Sequence, residues 1–248
     1  MSPRDRIRGL IAGALTGIAG GMFGVGGGLV LVPLLTGFFR LTQHQAHGTS
    51  LAVIGATAIT AILVYGAHAN IAWSTAGFVA LGSLVTARLG ARWATRLPAR
   101  TLRRAFAVFL ALVAVRLLWQ APPVGSQALL PERMELFASL LLGLAAGALA
   151  GAMGVGGGII VVPALTLMFG LSQQAAQGTS LAVMVVTAPS AAFEHSRHGN
   201  VMWRFVPMLA VGAALGAPLA SWAAQGLPHA WLVRGFALFI LATAIHTW

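Results

Sequence analysis

The stretch GMFGVGGGLVLVP at residues 21–33 returns as GAMGVGGGIIVVP at 151–163, and the repetition runs far beyond it. Moving the sequence along itself by 130 residues, with no gap, places Gly24-Val25-Gly26-Gly27-Gly28 on Gly154-Val155-Gly156-Gly157-Gly158. The same shift places Pro33 on Pro163, Gln43 on Gln173, and Gly48-Thr49-Ser50-Leu51-Ala52-Val53 on Gly178-Thr179-Ser180-Leu181-Ala182-Val183. It also places His68 on His198, Asn70 on Asn200, Pro98 on Pro228 and Arg104 on Arg234. A match this long constrains the chain to two related units within one integral domain. The first repeat is expected over 1–120, a linker carrying Pro122, Pro123 and Pro131 over 121–131, and the second repeat over 132–248.

Each unit is built from apolar runs, which in the first fall at about 8–23, 28–39, 44–66, 72–95 and 102–119. Charged residues are only 8% of the chain, against about 25% in soluble domains, and mean hydropathy is +0.87. The expected class is an all-α polytopic membrane protein in contact with the lipid bilayer. Its formal charge of +11 comes from fifteen arginines and no lysine against four acids. In a membrane protein this excess reads as the positive-inside rule rather than as nucleic-acid binding. The missing lysine excludes Schiff-base chemistry and a phosphate-loop lysine. The missing cysteine excludes disulfides and thiol catalysis. The N-terminus imitates a signal peptide, but the matching segment 133–152 sits mid-chain, so residues 1–21 read as part of the fold.

The run at 28–39 gives about 18 Å of helix, too short for a hydrocarbon core of about 30 Å. Runs 8–23 and 28–39 therefore read as the arms of a re-entrant hairpin that turns at the glycines. Only the three later runs have comfortable spanning length. Arginine placement agrees. If 7–39 enters and returns, Arg4, Arg6, Arg8, Arg40, Arg88, Arg92, Arg96, Arg100, Arg103 and Arg104 lie near one face, while the loops at 67–71 and 121–131, without arginine, lie at the other. An odd number of crossings per unit then inverts the second unit. Both termini are expected on the cytoplasmic side. Inverted repeats with broken helices are the architecture of secondary transporters, in which one half rocks against the other.

A turn in the membrane needs glycines for φ > 0 and a place inside the protein. The half-helices starting at Gly28 and Gly158 would aim unpaired N–H groups and positive dipole ends inward, a site for a small anion without a charged side chain. The expected binding residues are Gly26, Gly27, Gly28, Thr49, Ser50 and their counterparts Gly156, Gly157, Gly158, Thr179, Ser180. Gly48-Thr49-Ser50 and Gly178-Thr179-Ser180 are expected to begin the next long helix of each unit; their competing reading is close helix packing, with hydroxyls bonded to their own helix. Gln43 and Gln173 either cap the helices that follow or line the pathway. Asn70 and Asn200 fit turn chemistry.

His44 with His47, and His195 with His198, have i, i+3 spacing, but no carboxylate or thiolate completes the first pair; no metal or other cofactor is expected. Glu194, beside His195, stands where the first unit has Val64. It reads either as a proton relay or as an interfacial acid paired with Arg197. Pro189 should kink the helix that holds it.

Two copies of GxxGxGGGxxxxP, each followed by GTSLAV, resemble the sulfite exporter TauE/SafE family over nearly the whole chain. The resemblance implies a prokaryotic inner-membrane transporter exporting sulfite or another small sulfur-containing anion, with Gly24, Gly26, Gly27, Gly28, Pro33 and Gly154, Gly156, Gly157, Gly158, Pro163 as its motif. One departure is His47 where the second unit has Gln177, which makes any site they line asymmetric. The alternatives are a carrier of another solute, uptake included, and a membrane assembly factor without a transport cycle. An enzyme is disfavoured, because no paired acids, triad or metal cluster is in register.

Overall fold

A computed structural model describes residues 3–93, 99–119 and 132–247. The linker expected at 121–131 lies outside them. The described residues form helices and connections, with no strand among them. The helices are α1 (Pro3–Phe23), α2 (Gly28–Gly37), α3 (Gln43–Ala67), α4 (Trp73–Trp93) and α5 (Ala99–Trp119) in the first unit. In the second they are α6 (Glu132–Met153), α7 (Gly158–Leu167), α8 (Gln173–Arg197), α9 (Val206–Gln225) and α10 (His229–Thr247). Each helix of the first unit thus has a counterpart about 130 residues on.

Two boundaries correct the sequence reading. The first hairpin arm is longer than expected: α1 has 21 residues and α6 has 22, or about 31–33 Å. The α6 segment Met134–Met153 is itself long and apolar enough to span, as are α3, α8 and α9. Next, α3 starts at Gln43 under a Thr42 cap, so Gly48-Thr49-Ser50 lies more than a turn inside the helix rather than at its start.

The chain does double back at the glycines. A Cβ on Gly27 would strike the Thr16 carbonyl, two turns before the end of α1, and one on Gly20 would sit 2.8 Å from the Gly27 nitrogen. At the other end of the hairpin, α2 leads through five residues, Phe38 to Thr42, into the start of α3.

Contacts across the molecule are reciprocal. Gly13 packs on the Leu209 carbonyl of α9, and its counterpart Gly143 packs on the Val79 carbonyl of α4. Gly48 near the start of α3 meets His195 near the end of α8, and Gly178 near the start of α8 meets Tyr65 near the end of α3. So α3 and α8 run antiparallel while exchanging equivalent contacts. The starts of α1, α3 and α9 and the ends of α4 and α8 share one end of the molecule. Arg6, Arg8, Arg40, Arg88, Arg92, Arg197 and Arg204 gather there, whereas Arg116 and Arg234 lie toward the other.

The pairing also crosses the units. α1 lies along α9, and α6 along α4. Each first helix therefore packs on the fourth helix of the other unit, and the structural bodies are α1–α3 with α9 and α6–α8 with α4. Close approach drives this: Gly13 and Gly17 leave room only for the backbone of α9 at Leu209 and Ala213, and small residues are how helices adhere in lipid.

Candidate functional site

Three left-handed glycines make each turn. Gly24, Gly26 and Gly27 have φ of 69°, 69° and 83°, and Gly154, Gly156 and Gly157 have 68°, 77° and 83°. An L-residue would pay about 1–2 kcal/mol at each. Gly27 and Gly157 are the N-cap residues of α2 and α7 and offer no side-chain cap. The first N–H groups to find partners in the half-helices are those of Val30 and Leu31, on the Gly27 carbonyl, and Ile160 and Val161, on that of Gly157. Among the described residues, the N–H groups of Val25 to Leu29 and of Val155 to Ile159 make no hydrogen bond. Gly24–Gly28 and Gly154–Gly158 are nonetheless buried. Buried, unpaired amides are rare, and here two sets of them occur at two positive helix ends.

The two turns touch. A Cβ on Gly28 would lie 2.9 Å from Val155 Cα and 3.0 Å from the Gly154 carbonyl oxygen; one on Gly158 would lie 2.6 Å from that of Gly24. The space between them is filled by Ile54 of α3 and Met184 of α8, equivalent residues and both fully buried. From Gly26, Ile54 Cγ2 and Met184 Sδ stand 2.7 and 2.8 Å away from the position a Cβ would take.

The Gly-Thr-Ser triplets divide into three jobs. Gly48 and Gly178 admit the carbonyls of Asn200 and Asn70. The Thr49 hydroxyl accepts from the Met202 N–H at 2.9 Å, and that of Thr179 from the Ala72 N–H at 2.9 Å, so both threonines pin a loop. Ser180 donates to the Gly24 carbonyl at 2.8 Å, beside the α7 N-terminus. Its counterpart Ser50 is fully buried with no partner for its hydroxyl. Of the hydroxyls expected at the site, then, that of Ser180 reaches a glycine turn, that of Ser50 stays buried without a partner, and the threonines hold loops.

Polar clusters flank the centre. Toward the ends of α1 and α3, the Tyr65 hydroxyl contacts the Gly21 carbonyl at 2.8 Å and Gln177 Oε1 at 3.0 Å, while Gln177 Nε2 is buried without a partner. At the equivalent place in the other body, His195 Nε2 donates to the Gly151 carbonyl at 3.0 Å, and Gly154 packs on His47. Tyr65 was not singled out in the sequence, because the repeat aligns it with a histidine. Its signal was a polar ring within an apolar run.

Thr42 and Ser172, not the glutamines, cap α3 and α8; Gln45 completes the capping box at Thr42. Gln43 is exposed and its amide donates to His47 Nε2 at 2.9 Å. Gln173 is buried, takes a 3.3 Å hydrogen bond from Thr166 and leaves its Nε2 unpartnered. Glu194 pairs with Arg92 of α4, not Arg197, at 2.8 Å. The carboxylate side chain is 4% exposed and the arginine 57%, so the pair bridges interior and surface. His198 donates to the Glu194 carbonyl. No group of three or more metal-ligating side chains converges among the described residues. Pro189 sits within an uninterrupted α8, its ring against Gly55.

A bundle of apolar helices, four of them long and apolar enough to span among the described residues, built around two broken half-helices, is that of a multi-pass membrane transporter. The chain belongs to the Sulfite exporter TauE/SafE family, which it matches over residues 2–117 and 138–248. That family is one of membrane transporters, not enzymes. Among its relatives, the probable membrane transporter protein YunE of Bacillus subtilis is 26% identical over 234 residues, 86% of each chain. A probable membrane transporter protein of Haemophilus influenzae is 29% identical over 259 residues, 96% of each chain. One of Xylella fastidiosa is 28% identical over 240 residues, 95% of this chain and 92% of its own. No solved structure matches the chain.

Proposed function

We propose that the protein is a secondary transporter that exports a small anion, sulfite or another sulfur oxyanion or organosulfonate, by alternating access where the two glycine turns meet. The observation that carries this reading is the pair of buried, unpaired amide sets at the starts of α2 and α7. A compact oxyanion has acceptor lone pairs for both sets, and its charge is favoured at two positive helix ends as that of a neutral or cationic solute is not. The orphaned donors Ser50 Oγ and Gln177 Nε2, on helices that line the turns, add to the same demand for an acceptor. The relatives' family description names sulfite.

The arginine-rich end is the cytoplasmic one under the positive-inside rule, which puts α1 and its N-terminus there and gives the two units opposite orientations in the inner membrane. A negative-inside potential then drives a monoanion outward by about 2.3 kcal/mol per 100 mV, with no coupling ion required. Glu194, held by Arg92, is the remaining candidate proton relay, with His195 beside it.

Purified protein in liposomes loaded with sulfite, methanesulfonate or sulfoacetate tests this. Efflux should rise when an inside-negative potassium diffusion potential is imposed and fall when its sign is reversed. Flux of none of these anions in either direction, from protein correctly inserted, overturns the proposal; flux driven only inward by a proton gradient would favour an uptake carrier.

A further inference from the structure

We propose that Ile54 and Met184 form the plug that sets the size of the carried anion, with Met184 the moving half. The proposal rests on the reading of the glycine turns as the anion site, and it identifies what the anion must displace.

Along α3, His47, Ser50, Ile54 and Thr57 recur every three or four residues, and Gln177, Ser180, Met184 and Thr187 do the same along α8. At that spacing they share one helix face. Both stripes look onto the glycine turns: His47 and Gln177 pack on Gly154 and Gly24, Ser180 reaches the Gly24 carbonyl, and Ile54 with Met184 reaches Gly26 and Gly156. Ile54 Cδ1 also covers Gly28, at 2.9 Å from the position of its missing Cβ, and Met184 Cε covers Gly158. Two apolar tips, one from each unit, thus lie over both half-helix starts, one turn along from the serine hydroxyls. Methyl groups packed against these glycines offer the buried amides no acceptor. An anion can reach those amides only where the tips have moved aside.

The two tips differ in kind. Isoleucine is β-branched and stiff at χ1. Methionine is unbranched, with three rotatable bonds and a polarisable sulfur. Met184 can swing within a fixed backbone, and Ile54 serves as the wall. The second unit's amides are therefore the ones gated, while Ser50, in the first, keeps a hydroxyl without a partner.

The chain has no cysteine, so S50C reports access to the centre without any assumption about the cargo. In liposomes, S50C should react slowly with a small sulfonate-bearing methanethiosulfonate. In S50C/M184A it should react about tenfold faster, since one or two methylenes of room are worth that much or more. The second readout is counterflow with sulfite and with methane-, ethane- and propanesulfonate. M184A should move the preference toward the longer chains by about tenfold, I54V should move it less, and M184L, which conserves volume, should keep the parent profile. Unchanged S50C reactivity in S50C/M184A overturns the plug, as does a uniform fall in rate across the series in both M184A and I54V. Faster S50C modification with no anion carried at all leaves the plug standing and removes the anion reading instead.

Discussion

Ala69 holds φ at 55° where its counterpart Gly199 holds 69°, and Arg40 holds 52° where Gly170 holds 65°. The repeat thus displays the same backbone twice, once with a residue that tolerates it and once without. A left-handed L-residue costs about 1–2 kcal/mol, and the extra freedom of glycine in the unfolded chain returns about 0.4–1 kcal/mol of that. A69G should therefore raise stability by about 0.5–1 kcal/mol, and G199A, where a Cβ meets nothing within 4 Å, should lower it by about 1 kcal/mol. Thermal unfolding of the purified protein in detergent measures both; equal midpoints for all three proteins would refute the strain. At this scale the sequence was legible wherever a residue repeated. The glycines, serines and threonines stood out because both copies kept them. Ile54 and Met184 did not, since an apolar residue in an apolar run carries no pattern. Tyr65 did not either, since the two copies spend unlike residues on one contact, and His195 stood out for its neighbours Glu194 and His198 rather than for its bond to the Gly151 carbonyl.

Elements were legible where a breaker ends them. The glycine runs and the short α2 and α7 were read nearly to their observed ends, because left-handed glycines stop a helix and ten residues cannot cross a bilayer. The start of α1 was read too late. Arg4, Arg6 and Arg8 interrupt the apolar pattern, yet charges at an interfacial helix start cost little and the helix runs on to Pro3. The cap of α3 was read one residue late, although Thr42-Gln43-His44-Gln45 carries a capping-box signature. Helix contact itself yields a prediction. A Cβ on Gly17 would meet the Ala213 carbonyl and sit 2.8 Å from Ala213 Cα, so G17L must push α1 off α9. In lipid there is no hydrophobic gain to offset the lost packing, and the expected cost is about 1–3 kcal/mol. G37A, with open space at its Cβ, should change stability by no more than about 0.5 kcal/mol. The yield of monodisperse protein after heating compares the two, and equal losses would mean that the α1–α9 seam does not depend on close approach.

The whole molecule differs from the picture of two sequence halves rocking on each other. α9 closes against α1 and α3, and α4 against α6 and α8, so each body borrows its fourth helix from the other unit. The bond network follows the bodies. Arg92–Glu194, Arg88–Ser190 at 3.2 Å and Ser83–Thr187 at 2.6 Å all tie α4 to α8. Between the bodies lie the glycine turns, the Ser180–Gly24 bond, the Tyr65–Gln177 bond and the plug. Periodicity alone could not show this exchange, because a repeat in sequence reports equivalence and not partnership. If alternating access moves the bodies, the α1–α9 seam stays rigid throughout the cycle; if it moves the sequence halves, that seam must slide. Gly9 and Met208 face each other across it, with 3.1 Å between the Cβ positions, close to the range a disulfide bridges. In this cysteine-free chain, oxidised G9C/M208C should transport within about twofold of its reduced form, since nothing that moves is tied. Loss of flux on oxidation, recovered on reduction, would assign the motion to the sequence halves.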